Sequence, residues 1–184
     1  MESKKKQITI EGIITFAGGA LNNLGYSNEY IESHYKEWAV EGRESTNDYL
    51  WYLYNRELNN VEGLTLEQLY LKQSNIYYAM GIFVLKYENG NRNHYTRLAF
   101  KSELLRYIET SRESDYQMEV IIIQGKNCEY VRTLVGQTRT PEEMLDWQPL
   151  ASKDCTNPNG CNCAYSLVPK RDMNGRLVRK KSID

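Results

Sequence analysis

Ile76-Tyr-Tyr-Ala-Met80-Gly-Ile-Phe-Val-Leu85-Lys-Tyr-Glu-Asn-Gly90 is the stretch on which the reading of the fold turns. From Ile76 to Tyr87 it is rich in β-branched and aromatic residues, the composition of a pleated, half-buried strand. Asn89-Gly90 follows, and both residues accept the positive φ that a two-residue hairpin turn requires. Read this way, a strand over Ile76–Tyr87 turns at Asn89-Gly90 and returns over about Asn93–Phe100.

The chain on the C-terminal side extends this pattern. Ser102 to Arg112 carries Leu104, Leu105 and Ile108 at helical spacing. Gln117 to Gln124 contains Val120-Ile-Ile-Ile123, the most apolar run in the chain and the natural central strand. Gly125-Lys-Asn then turns into a further strand over Cys128–Val135. Thr140-Pro141-Glu142-Glu143 is a capping box with proline at the first helical position, which predicts a short helix to Trp147. Ala164–Lys170 and Arg176–Lys181 flank Asp172-Met-Asn-Gly175 and read as a terminal hairpin.

On the N-terminal side the apolar period is helical. Ile10, Ile13, Ile14, Ala17, Leu21 and Leu24 form one stripe over residues 9–24, with Gly25 as the stop. Gly18-Gly19 within it implies a close neighbour. Ser27 opens a second helix to about Val40, and a third runs from about Thr46 to Leu58. Thr65 to Gln68 fits a capping box for a short fourth helix. The expected fold class is therefore α+β: an N-terminal helical unit packed on a mainly antiparallel sheet, with a cysteine-rich C-terminal loop and hairpin. The expected units are 1–74 (helical), 75–150 (antiparallel α+β) and 151–184 (cysteine loop and basic hairpin), together one compact domain.

Length and charge exclude some functions. The 184 residues suffice for one domain with a real core, and a net charge of −1 gives no global pull toward nucleic acid. Charge is uneven, however: residues 26–70 hold nine acids against Lys36, Arg43 and Arg56. Residues 164–184 are basic. No apolar run reaches the ~18–20 residues of a membrane span. The charged start followed by a glycine-interrupted apolar stretch is a poor secretion signal, which points to the cytoplasm.

Three of the four cysteines fall in Cys155-Thr-Asn-Pro-Asn-Gly-Cys161-Asn-Cys163. Pro158 and Gly160 favour a turn that brings thiols together. With Cys128 as the fourth ligand, Cys155, Cys161 and Cys163 form a candidate zinc site, although the C-x5-C-x-C spacing departs from the usual C-x2-4-C pairs. A disulfide and free thiols are the alternatives.

Fifteen tyrosines and three tryptophans suit faces that are apolar at one end and wet at the other. Trp38, Tyr49, Trp51 and Tyr52 crowd into the acidic helices and are the candidate anchors for a partner. Lys170, Arg171, Arg176, Arg179, Lys180 and Lys181 make a basic ribbon beside the cysteine loop, a candidate contact for DNA or RNA. Catalytic groups are sparse. Neither His34 nor His94 has a nucleophile and an orienting acid at workable spacing, and no glycine-rich phosphate loop is present. The expectation is a protein that is not an enzyme.

The segment Tyr95-Thr-Arg-Leu-Ala-Phe100-Lys-Ser-Glu-Leu-Leu105-Arg-Tyr-Ile-Glu109 resembles the strand-to-helix step of small accessory proteins of phages and conjugative elements, among them anti-restriction and anti-CRISPR proteins. The resemblance covers about fifteen of the 184 residues and carries over no functional residue. It implies a non-enzymatic inhibitor that occupies a protein or nucleoprotein complex of host defence, in the host cytosol. A subunit of the phage virion, such as a connector, and a zinc-stabilised nucleic-acid-binding protein are the alternatives.

Overall fold

The computed structural model describes residues 6–23, 25–39, 45–126 and 128–181. The expected roles of Ala17, Gly18, Gly19, Leu24 and Val40 lie outside what it describes. The N-terminal half holds α1 (Ile10–Asn23), α2 (Asn28–Ala39) and α3 (Thr46–Asn59). Two long helices follow, α4 (Leu66–Tyr87) and α5 (Asn93–Glu113). The remainder comprises β1 (Met118–Ile123), α6 (Glu129–Arg132), β2 (Thr138–Arg139), α7 (Pro141–Trp147) and β3 (Ala164–Pro169). The class is α+β.

The expected hairpin over residues 76–100 is not formed, and the expected boundary at 74/75 falls inside α4. The helix starts at the Thr65 capping box. Gln68 N–H donates to Thr65 Oγ1 at 3.2 Å, and the Thr65 N–H donates to Gln68 Oε1 at 3.0 Å. That cap launches 22 residues rather than a short turn. Ile76, Met80 and Phe83 are buried at spacings of four and three, which is the helical period. Tyr78 points the other way, into the core on the sheet side. A helix buried from two sides is apolar nearly all round, and this composition imitates a strand.

Asn89-Gly90 ends the helix instead of turning a hairpin. Asn89 takes the left-handed conformation at φ 54°, and the Gly90 N–H returns to the Val84 carbonyl at 3.1 Å. Four residues on, α5 begins, and Thr96, Ala99, Phe100, Leu104, Tyr107 and Ile108 are its buried face. Tyr95–Glu109, the segment with the resemblance, is helical throughout. Close approach of α4 and α5 is allowed at Gly81, where a Cβ would meet Arg92 and Thr96 at 3.4–3.5 Å.

The two helices form a spine between two cores. On one side Ile13, Leu21, Ile31, Leu50, Leu53 and Tyr54 close over Ile76, Met80 and Phe83. On the other, Phe100, Leu104 and Tyr107 meet Val120, Ile122, Met144, Leu150 and Tyr165.

The sheet is small, in the order β2-β1-β3, with both pairings antiparallel. The apolar run is its centre, as expected. Cys128–Val135 is not a strand: Val131 and Leu134 bury at a spacing of three around the short α6, because the chain must turn at once after Cys128. The terminal turn forms at Asp172–Gly175. The return segment is tied by the Arg171–Leu177 and Tyr116–Arg179 bridges and by Val178 N–H to the Lys170 carbonyl at 3.0 Å. Among the described residues no helix is long and apolar enough to cross a membrane.

Candidate functional site

Sheet register assembles the cysteines. β1 ends at Ile123, which pairs with Ala164, the first residue of β3. Cys163 precedes Ala164 and Cys128 lies just beyond the end of β1, so antiparallel pairing sets both at one sheet edge. Gly125 permits this. A Cβ there would strike the Asn162 carbonyl oxygen, so only glycine lets the two turns touch. The Gly125 N–H donates to Cys163 Sγ at 3.3 Å.

The Cys155–Cys163 loop is held on the start of α5. The Cys161 N–H donates to Asn93 Oδ1 at 2.6 Å, and Gly160, at φ 87°, packs against Arg92 and Asn93. The Asn157 side-chain amide reaches the Lys126 carbonyl at 3.4 Å. Cys128, Cys161 and Cys163 are buried and Cys155 is half-buried, and none forms a disulfide.

The four thiols lie close enough to influence one another's ionisation. Nearby backbone N–H groups, those of Val131 and Thr156 at Cys128, favour the thiolate form. Burial pushes the Cys155 thiol up to about 11 and raises Cys161 and Cys163. Burial also opposes ionisation of Cys128, but the N–H donors and neighbouring thiols outweigh it and hold that thiol below its ordinary value. Among the described residues no group of three or more His, Cys, Asp or Glu is arranged to hold a metal ion.

Of the four expected partner anchors, Trp38, Tyr49 and Tyr52 meet ring to ring at 5.4–6.5 Å, while Trp51 lies apart from them. Tyr49 is fully buried, with its hydroxyl donating to the Ile31 carbonyl at 3.1 Å. Trp51 lies on the inner side of α3, against Phe83 and Tyr95, and its indole N–H donates to Glu88 Oε1 at 2.8 Å. Both are structural. Tyr52, 38% exposed, and half-buried Trp38 reach the surface along the α2–α3 seam.

The seam carries residues that sequence reasoning missed. His34 stacks on Tyr30 at 5.2 Å and on Tyr52 at 5.9 Å. Tyr52 in turn meets Trp38 at 6.3 Å. Arg56 donates to the Tyr30 hydroxyl at 3.0 Å. Burial, then the Arg56 charge, lowers the His34 pKa. A cleft of about 230 Å³ lined by Gly25, Tyr26, Tyr30, Arg56 and Glu57 opens at the same end. The available signal was the i, i+4 pairs Tyr30/His34 and Tyr52/Arg56 on successive helices. Around this seam Glu29, Glu32, Glu37 and Asp48 are exposed.

The basic ribbon lies at the surface, with Lys170 half-buried and Arg171, Arg176, Arg179, Lys180 and Lys181 exposed. Lys170 pairs with Glu119 at 3.2 Å, and Arg171 donates to the Gly175 carbonyl at 2.7 Å. Arg179 lies 5.9 Å over the Tyr116 ring. Lys180 caps α5 through the carbonyls of Ser111 and Arg112. His94 stands in the first turn of α5, edge-on to Tyr95. Comparison with protein-family models, with curated proteins and with solved structures finds no match to this chain.

Proposed function

We propose that this chain is a non-enzymatic binding protein that docks the α2–α3 seam onto a basic surface of a partner protein. The observation that carries the reading is the aromatic ladder Tyr30–His34–Tyr52–Trp38, set among exposed carboxylates. Rigid aromatic rings supply contact area at low entropic cost, and the surrounding acids steer a positively charged partner and fix its orientation. Complexes that handle nucleic acid present such basic surfaces. Inhibition of a host-defence nuclease complex, by a protein of phage or mobile-element origin, is the specific form of this reading.

The test is capture from nuclease-treated host extract with the wild-type chain and with a Glu37→Lys/Tyr52→Ala variant matched for thermal stability. The expected outcome is a protein partner whose binding weakens with salt. Loss of the Tyr52 anchor should cost about 2 kcal/mol, roughly thirtyfold in affinity. Equal retention of the partner by the variant, or recovery abolished by nuclease, would sink the proposal.

A further inference from the structure

We infer that the cleft at the end of the α2–α3 seam is a carboxylate receptor, in which Arg56 grips a carboxylate of the docked partner in a bidentate fork. The inference rests on the docking reading of the seam for the source of that carboxylate. Arg56 is exposed and lines the cleft with Gly25, Tyr26, Tyr30 and Glu57. Its Nη1 is already committed: it donates to the Tyr30 hydroxyl at 3.0 Å and meets His34 Nε2 at 3.5 Å. Among the described residues nothing engages Nη2 or Nε. These two nitrogens form the side edge of the guanidinium plane, which matches the two oxygens of a carboxylate. Acids surround the seam, yet among the described residues none pairs with Arg56.

A directed chain of hydrogen bonds holds the fork in place. Tyr49 donates its one hydroxyl proton to the Ile31 carbonyl at 3.1 Å, so its oxygen can only accept from His34 Nδ1, also at 3.1 Å. His34 is therefore protonated at Nδ1 and bare at Nε2. Arg56 carries donors alone, so it demands the same bare Nε2. The two ends of the chain agree on one tautomer. Burial, then the Arg56 charge, lowers the His34 pKa and keeps the ring neutral. His34 is a positioning residue: it stacks on Tyr30 and Tyr52 and orients Arg56 through Nε2. The cleft suits an anion. Glu57, the buried acid of its lining, is neutralised by Lys72 at 2.8 Å and accepts from the Tyr26 hydroxyl. Tyr26 and Tyr30, with ring centroids 5.3 Å apart, supply an apolar wall, where a guanidinium–carboxylate pair is less screened than in open water. A basic partner surface with one acid opposite Arg56 docks in a single orientation.

The experiment uses the full chain and two probes that differ only at the carboxylate, N-acetylphenylalanine and N-acetylphenylalanine amide. Nitrogen-15 NMR should show His34 protonated at Nδ1 and bare at Nε2. The acid, and not the amide, should shift the Arg56 Nε–H and Tyr30 signals. Arg56→Lys keeps the charge without the fork; it should hold the wild-type thermal midpoint and bind the acid about tenfold more weakly. A peptide with a free C-terminus and an amidated peptide with one glutamate separate the two sources of carboxylate, and binding of either supports the receptor. In capture from host extract, Arg56→Lys should lose the partner as the Tyr52→Ala chain does. Retention by Arg56→Lys beside loss with Tyr52→Ala would overturn the inference and leave the docking reading standing. Equal response to acid and amide, a proton on His34 Nε2, or undiminished acid binding by Arg56→Lys would overturn it as well.

Discussion

At the scale of single residues, the least forgiving position outside the cysteines is Glu57, buried in α3 beneath the aromatic seam. Its carboxylate takes the Tyr26 hydroxyl on one oxygen and Lys72 Nζ, at 2.8 Å, on the other. Lys72 also donates to the Asn60 carbonyl at 2.8 Å, so one ammonium ties the end of α3 to α4. Burial, followed by the neighbouring carboxylate, raises the Tyr26 pKa and keeps its proton available as donor. A buried pair adds little net stability, but removing one partner strands the other's charge. Lys72→Met should therefore destabilise the chain by about 3–5 kcal/mol. Tyr26→Phe, Glu57→Leu and Lys72→Met together should recover most of that loss. Urea denaturation of the two variants checks this. A single substitution costing less than about 1 kcal/mol would show that the pair behaves as a surface ion pair.

At the scale of elements, the joint between the cysteine loop and the start of α5 depends on backbone that only glycine tolerates. Gly160 combines φ 87° with a Cβ position 2.6 Å from Arg92 Cγ, whereas Gly136, at φ 88°, has nothing within 4 Å. Gly136→Ala thus meets backbone strain alone, about 1–2 kcal/mol. Gly160→Ala should cost about 1–3 kcal/mol from strain and more from displacing Arg92 and Asn93, which anchor the loop. Thermal midpoints of the two variants measure the difference. Equal losses would mean that the loop is not seated on α5. Asn89-Gly90 serves a strand pair or a helix end equally well, and burial of α4 between the two cores makes it a helix end here.

At the scale of the whole molecule, the α4–α5 spine makes the two cores one cooperative unit. Ile76, Met80 and Phe83 complete the N-terminal core, so a fragment of residues 1–74 should not fold. Its circular dichroism should show little helix and its amide NMR spectrum little dispersion, and a well-dispersed spectrum would contradict the shared spine. The sequence by itself determined the elements whose signals are local. These are the three N-terminal helices, the Thr65 and Thr140 capping boxes, the central Val120–Ile123 strand and the Asp172–Gly175 turn, because caps and short-range periods act within a few residues. It also marked Cys155, Cys161 and Cys163 as one group. Only the tertiary structure decided that Ile76–Phe100 is helical, since burial from two sides erases the polar stripe by which an amphipathic helix is recognised. Tertiary contacts also buried Tyr49 beneath Tyr52 and turned Trp51 toward Phe83 and Tyr95, and tied Lys170 of the basic ribbon to β1 and Lys180 to the end of α5. They brought Cys128 to Cys155, Cys161 and Cys163 as well, because antiparallel register joins the end of β1 to the start of β3 across a separation in sequence that no local spacing encodes.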